Sequence, residues 1–297
     1  MRLLKYCKYI ALSVLVSLVL LTNARLQYVD FDVSMRYVKH RDNFYLKRLE
    51  RSKCHEFLHF LRSLYKKNNL GRLTPHPKPL IPKRIHQIWV GKNEPPALFA
   101  FCQASIKKYH PDWEYKLWRD EDIDRLYLIN KRFYDSAQNY GERSDLARYE
   151  ILYRFGGVYL DVDFECIKPL DILHHTYDFY AGIVPLSCQS FIANGVIGSC
   201  PGHPILKHCI DTVKNNWGSS DTLRRTGPFH FQEAFWQIGK HYRGPIIAFP
   251  ATYFFPLTHE DALKNPTRRF IEKFIQPETV AIHHWTGSWT APVHRTY

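Results

Sequence analysis

The stretch that decides the fold is Arg143-Ser144-Asp145-Leu146-Ala147-Arg148-Tyr149-Glu150-Ile151-Leu152-Tyr153-Arg154-Phe155-Gly156-Gly157-Val158-Tyr159-Leu160-Asp161-Val162-Asp163. Its first half reads as a helix: Leu146, Tyr149, Leu152 and Tyr153 recur at helical spacing, and Ser144 is placed to cap it. Asp145 and Arg148, three apart, share one helical face. Gly156 predicts a left-handed end to the helix, and Gly157 a tight turn into a strand. In that strand Val158, Leu160 and Val162 face one way, and Tyr159, Asp161 and Asp163 the other. The two carboxylates then lie ~6.6 Å apart along the strand, where like charges repel and are costly to bury without a cation or proton between them.

Outward from this segment, Ile85 to Val90 is an apolar run ended by Gly91 and predicts a buried strand. Pro96 to Tyr109 predicts a helix, Glu114 to Trp118 a second strand, and Asp120 the acidic start of another helix. Strands alternating with helices give an α/β domain with a largely parallel sheet, whose ligands bind at the carboxyl ends of the strands, where Asp161 and Asp163 fall. The simplest division is one catalytic domain over 81–297, set off by the proline-broken run Thr74 to Pro79. Before it, 25–80 reads as a basic stem, with Phe57, Leu58, Phe60, Leu61 and Leu64 forming a helical stripe that packs on or beside the domain.

Residues 1–24 hold an uncharged segment, Tyr9 to Ala24, flanked by Lys5, Lys8 and Arg25. It reads as a transmembrane signal-anchor, with a cleaved signal peptide ending near Thr22-Asn23-Ala24 as the alternative. The flanking charges leave its orientation open. The net charge of +13 sits almost wholly in residues 1–80, with 16 Lys/Arg against 5 Asp/Glu. The remainder is nearly balanced, which argues against nucleic acid and for a membrane surface as the partner of the basic part. Seven cysteines show no zinc-like spacing; Cys188 and Cys200 could pair in an oxidising lumen, and the odd count leaves at least one thiol over.

Carboxylates so paired suit a hard divalent ion, Mn²⁺ or Mg²⁺, which shares its coordination with substrate phosphates. Ile81 to Gly91 together with Arg143 to Asp163 resembles the DXD sugar-binding region of glycosyltransferase family 32, and the likeness extends over roughly 81–290. The resemblance implies a GT-A-type, Rossmann-like mixed sheet flanked by helices, a nucleotide-diphosphate sugar as donor (GDP-mannose or a UDP-hexose), and transfer of a hexose with retention to a glycan or glycolipid hydroxyl. It places Trp89 on the donor base, Asp145 and Arg148 on the sugar hydroxyls, Tyr159 beside the donor, Asp161 at the ribose, the sugar or the metal, and Asp163 as the most direct metal ligand. Asn194, in Ala193-Asn194-Gly195, falls near the anomeric carbon. In the closing motif Ile282 to Trp289, His283 assists the metal or diphosphate, and Ser288 and Trp289 close over the phosphates. Thr226-Gly227-Pro228 is family-like but is also explained as a loop-former, and Tyr253-Phe254-Phe255-Pro256 reads as packing rather than an acceptor platform. The setting implied is a Golgi or other secretory membrane in a eukaryote, or the inner membrane in a bacterium. Two other classes compete. An aspartate-nucleophile phosphatase wants Thr or Val where Phe164 stands; a membrane-anchored sugar-binding protein without turnover is the alternative that donor hydrolysis separates.

Overall fold

A computed structural model describes residues 28–37, 54–185, 192–264 and 266–287. The apolar segment 9–24, Cys188, Ser288 and Trp289 lie outside the described residues. Among the described residues no helix is long and apolar enough to cross a membrane.

Among the described residues eight strands form two sheets. β1 (Arg84–Ile88), β2 (Glu114–Trp118), β3 (Gly157–Leu160), β5 (Phe179–Ile183), β6 (Ile192–Ser199) and β7 (Ile246–Phe249) make one sheet in the order β2-β1-β3-β6-β5-β7. β4 (Phe164–Cys166) and β8 (Ala281–His283) pair antiparallel in a second, two-stranded sheet. In the large sheet β6 alone runs against its neighbours, so the expectation of a largely parallel sheet holds with one reversed strand. That reversal brings the first residues of β6 to the same edge as the last residues of β3, with Leu160 opposite Val196.

The chain leaves β1 to one side to form β2, then returns across to form β3 on the other side of β1. Such a switch opens a crevice at the carboxyl ends of the two strands. Apart from β2 at the edge of the large sheet, the strands are buried along nearly their whole length, with helices covering the faces. The principal helices are α1 (Phe31–Tyr37), α2 (Cys54–Asn68), α3 (Ala97–Tyr109), α4 (Tyr140–Phe155), α5 (Pro204–Asn216) and α6 (Pro228–Gly239). α3 and the strand Glu114–Trp118 fall where the sequence puts them, with Pro96 as the cap residue before α3.

Two local expectations are corrected. α4 begins a turn earlier than Ser144: Asn139 is its cap, accepting from the Glu142 N–H at 2.9 Å, which leaves the Ser144 hydroxyl for the site below. The strand through Gly157 ends at Leu160 instead of continuing to Asp163. A turn closes there, Phe164 N–H to Asp161 C=O at 3.1 Å, and the chain then enters the small sheet as β4. The expected spacing of the two carboxylates along one strand is therefore replaced by a turn that folds them together.

Gly156 and Gly157 do as read, with φ of 61° and 103°. At Gly157 a Cβ would lie 2.5 Å from the Arg84 carbonyl, so only glycine lets β3 dock on β1. The stripe Phe57–Leu64 on α2 packs on the domain, with Phe57 and Phe60 edge-on to Trp236 of α6 at 5.2 and 5.1 Å. Phe31 and Met35 of α1, and Leu61 and Tyr65 of α2, share one continuous apolar core with the sheet. Each such fully buried large side chain is worth about 1.5–3 kcal/mol, so these helices contribute to the stability of the same unit.

Candidate active site

The crevice predicted by the strand order is a cavity lined by residues of the DXD segment. Its walls include Ile88, Trp89 and Val90 at the end of β1, Asp145 and Arg148 on α4, Ala193, Asn194 and Gly195 in the first half of β6, Pro228 at the start of α6, Phe255, and Trp285, Thr286 and Gly287 after β8. Tyr159, Asp161, Asp163 and His283 form its floor.

Asp161, Asp163 and His283 each present one ligand atom, and these lie within 4.8 Å of one another. His283 Nε2 stands 3.1 Å from Asp163 Oδ1 and 3.8 Å from Asp161 Oδ2. Burial favours a neutral carboxyl at Asp163, but the His283 charge and hydrogen bond, with the Thr286 N–H and hydroxyl at 2.7 and 2.9 Å, hold its pKa well below the usual range. Burial also opposes charge on His283, and the Asp163 carboxylate outweighs it and raises the imidazole pKa. Two carboxylate oxygens and an imidazole nitrogen are a donor set that fits a first-row divalent ion such as Mn²⁺. The His283 Nδ1 atom is buried without a hydrogen-bond partner, and Nε2 faces the carboxylates.

On the opposite wall Arg148 is a hub. It donates to the Asn194 carbonyl at 2.6 Å, pairs with Asp145 at 3.2 Å and Asp161 at 3.3 Å, and lies 4.2 Å over the Tyr159 ring. Tyr159 donates its hydroxyl to Asp161 Oδ1 at 2.8 Å, so it orients the carboxylate from below. Asp145 accepts from the Asn194 side-chain amide at 2.8 Å and the Thr226 hydroxyl at 3.0 Å. Burial raises the Asp145 pKa to about 6, against the lowering effect of Arg148, Thr226 and Asn194.

Of the residues singled out in the sequence, Asp161, Asp163, His283, Asp145, Arg148, Asn194, Tyr159 and Trp89 meet at this cavity. Trp89 is half-buried on its rim and donates its indole N–H to the Asn93 carbonyl at 2.7 Å. His284 faces away from it, its ring on Glu165 at 3.1 Å. Thr226 is more than a loop-former, through its bond to Asp145, and Pro228 lines the wall. Tyr253 and Phe254 are core as expected, while Phe255 is both buried and part of the wall. Sequence reasoning missed Thr286, which donates twice to Asp163, and Tyr149, whose hydroxyl accepts from Asn194 at 2.9 Å and donates to the Thr226 carbonyl at 2.7 Å. A tyrosine in an apolar helical stripe gives no sign of such a role; Thr286, inside the closing motif Ile282 to Trp289, carried a positional hint.

Residues 96–180 match the family described as the glycosyltransferase sugar-binding region containing the DXD motif. Inositol phosphoceramide mannosyltransferase 3 of Schizosaccharomyces pombe is 42% identical over 139 residues, covering 46% of this chain and 37% of that protein. The chain thus spans well under half of that relative's length. An uncharacterised glycosyltransferase of Acanthamoeba polyphaga mimivirus is 30% identical over 178 residues, 54% of this chain and 67% of its own. Among solved structures the PaToxG glycosyltransferase superposes with a TM-score of 0.46 at 20% identity, over 64% of this chain and 80% of its own. That likeness is loose, and the fold description here rests on the strand order.

Proposed function

Given that the chain belongs to the glycosyltransferases with a DXD sugar-binding region, we propose that it transfers a hexose from a nucleotide-diphosphate sugar to a hydroxyl of a membrane glycolipid or glycan, with retention and with a divalent metal. The observation that carries this reading is the meeting of the Asp161-Asp163-His283 trio with the Asp145-Arg148-Asn194 cluster across one cavity. One cluster suits a diphosphate held through a cation; the other offers a carboxylate, a guanidinium and an amide, the groups that orient sugar hydroxyls.

Asp161, Asp163 and His283 would hold Mn²⁺, which when bound supplies charge stabilisation to the departing diphosphate. Thr286 keeps the Asp163 carboxylate turned toward the trio. Asp145, with Arg148, fixes the sugar, while Thr226 and Asn194 hold that carboxylate in place. Trp89 at the rim offers a flat face to the donor base. No side chain of the cavity stands as an evident covalent nucleophile. Front-face attack in a GT-A-type site, with a departing phosphate oxygen taking the acceptor proton, is the mechanism the family resemblance supports. Ser288 and Trp289, beyond the described Gly287, are proposed as the closing lid.

The name of the fission-yeast relative favours mannose as the sugar and an inositol phosphoceramide as the acceptor. The apolar segment 9–24 favours a membrane-bound enzyme, in the secretory pathway if the source is eukaryotic. The test is release of nucleotide by the full chain from GDP-mannose, UDP-galactose, UDP-glucose and UDP-N-acetylglucosamine, with Mn²⁺ or chelator, and with and without inositol phosphoceramide. Metal-dependent release from one donor is expected, GDP-mannose first. Folded protein that binds donor but turns over none under any of these conditions would instead be a sugar-binding protein.

A further inference from the structure

We infer that the buried ion pair of Arg225 with Glu142 is a positioning device for this site, setting the Asp145 carboxylate through Thr226. The inference rests on the transferase reading above, in which Asp145 holds the sugar, and adds two residues that no sequence motif singled out.

The first observation is burial. Glu142, in the first turn of α4, and Arg225, at the end of the short helix Thr222–Arg225, are both almost wholly withdrawn from solvent. Arg225 Nε stands 2.7 Å from Glu142 Oε1, and the guanidinium donates to the Gln138 side-chain carbonyl at 3.0 Å. Glu142 Oε2 accepts from the Gln138 N–H at 2.8 Å, and the guanidinium lies 5.4 Å over the Trp217 ring. Taking two charges out of water costs about as much as their attraction returns, so an apolar pair of similar volume would serve stability as well. What the planar, charged fork adds is a fixed geometry between the two segments it joins.

The second observation is where those segments lead. Glu142 and Asp145 stand three apart on α4, on one face. Arg225 directly precedes Thr226, whose hydroxyl donates to Asp145 Oδ2 at 3.0 Å. The ion pair and this hydrogen bond are thus two ties between the same two segments, of which Asp145 on one side and Thr222, Leu223 and Pro228 on the other line the cavity. Asp145 Oδ1 faces the Asn194 amide and Arg148, while Oδ2 meets the Thr226 hydroxyl. Tyr149 holds the Thr226 carbonyl at 2.7 Å, a single point about which the segment could pivot without a second. The Arg225–Glu142 pair supplies that second point, so its loss turns the Asp145 carboxylate, and a misplaced positioning group slows turnover.

The test uses full chains: wild type, Arg225→Lys, Thr226→Val, the apolar pair Glu142→Leu with Arg225→Met, and that pair combined with Thr226→Val. For each, the melting midpoint, the binding of GDP and UDP in Mn²⁺, and kcat and KM for donor hydrolysis are measured. The apolar pair is expected to melt close to wild type and to bind the diphosphates, which carry no sugar, as wild type does. Its kcat on the nucleotide sugar is expected to fall about tenfold. Thr226→Val should show a similar fall and the triple replacement no more, because both changes reach Asp145 along one path. Arg225→Lys, which keeps the charge beside Glu142 but not the fork that also reaches Gln138, should lie in between. Wild-type kcat in the apolar pair would overturn the inference, as would losses that multiply in the triple replacement. Diphosphate affinity that falls in step with kcat would also overturn it, by marking a pair that supports the whole domain. Should the apolar pair not fold, Arg225→Lys decides: a lowered kcat at unchanged diphosphate binding supports the inference, and an unchanged kcat sinks it. Wild type that releases nucleotide from no donor would sink the transferase reading itself, and this inference with it.

Discussion

Buried histidines in this molecule are put to opposite ends. In the cavity, His283 sits against Asp163 and Asp161, and its pKa is raised although burial opposes the charge. Away from the cavity, His86 on β1 and His174 are just as buried, and burial drives their pKa values down to about 4 and about 3. The partners make the difference. His86 Nε2 faces the Gly156 carbonyl at 2.9 Å, and its Nδ1 accepts from the Trp118 indole at 3.1 Å, so the neutral tautomer satisfies both nitrogens. His174 meets the Ile81 carbonyl and the Tyr180 hydroxyl, both at 3.1 Å. One cluster is built so that every group has its hydrogen bond without charge. The other gathers two carboxylates around an imidazole, so that charge on the ring is favoured. That contrast separates a site from a scaffold more sharply than burial does.

The largest effect expected is at the trio. Asp163→Ala should reduce nucleotide release at least ~10³-fold, the scale on which removal of a charge-stabilising group acts, and should abolish Mn²⁺ binding measured by calorimetry. Chelator should reproduce the loss in wild type. An Asp163→Ala protein with undiminished metal-dependent turnover would remove the distinction between the clusters.

The structural cluster has its own signature in pH. An unfolded histidine titrates near 6.5, so between that pH and the folded values the unfolded chain binds more protons. The stability from His86 and His174 is therefore complete above about pH 6.5 and is lost as pH falls toward 4. The loss is on the order of 3 kcal/mol for each fully titrated imidazole. Thermal melts from pH 7.5 to 4.5 should show the midpoint falling across this window, and His86→Gln should flatten part of the slope. A midpoint flat from 7.5 to 4.5 would contradict the neutral-histidine account.

What the sequence disclosed divides along the same line. The helix-glycine-glycine-strand segment, the strands at 85–90 and 114–118 and the helix after Pro96 were legible because periodicity, glycine and proline act locally. The paired aspartates were legible as a candidate site through their surroundings, since two such carboxylates alone also occur at solvated strand ends: the helix carrying Asp145 and Arg148, the double glycine and Tyr159 stand directly before them. The break at Asp161 was hidden, since the alternation Val158, Leu160, Val162 continues past it and only the pairing of β4 with β8, over a hundred residues away, ends the strand. The reversal of β6 was hidden for the same reason, as strand direction is set by tertiary pairing. Thr226 and Tyr149 reach the site through contacts 81 and 45 residues apart, which no local pattern encodes.

A smaller effect is expected at the wall proposed to face the sugar. Arg148→Lys keeps the charge but loses the planar fork that reaches Asp145, Asp161 and the Asn194 carbonyl together. Donor kcat/KM should fall about 10²-fold, roughly the cost of misplacing a positioned group, while Mn²⁺ affinity changes little. Equal losses of metal affinity and turnover would mean that Arg148 serves the trio rather than the sugar.

The smallest effect comes from a single methyl group and discriminates between the two regions most cleanly. At Gly195 a Cβ would lie 2.6 Å from Asp161 Oδ2, the end of a side chain that can swing, and the backbone there is not left-handed. Gly195→Ala should therefore displace a proposed metal-binding carboxylate without straining the fold. The expectation is a loss in kcat of about tenfold, or ~1.4 kcal/mol, with a melting midpoint close to wild type. At Gly157 the obstacle is the Arg84 carbonyl at 2.5 Å and φ is 103°, so neither party can give. Gly157→Ala should lower the melting midpoint outright, because β3 loses its seat on β1. If instead Gly195→Ala unfolds the protein while its activity per folded molecule stays at the wild-type level, Asp161 is held as part of the scaffold and belongs with His86 and His174.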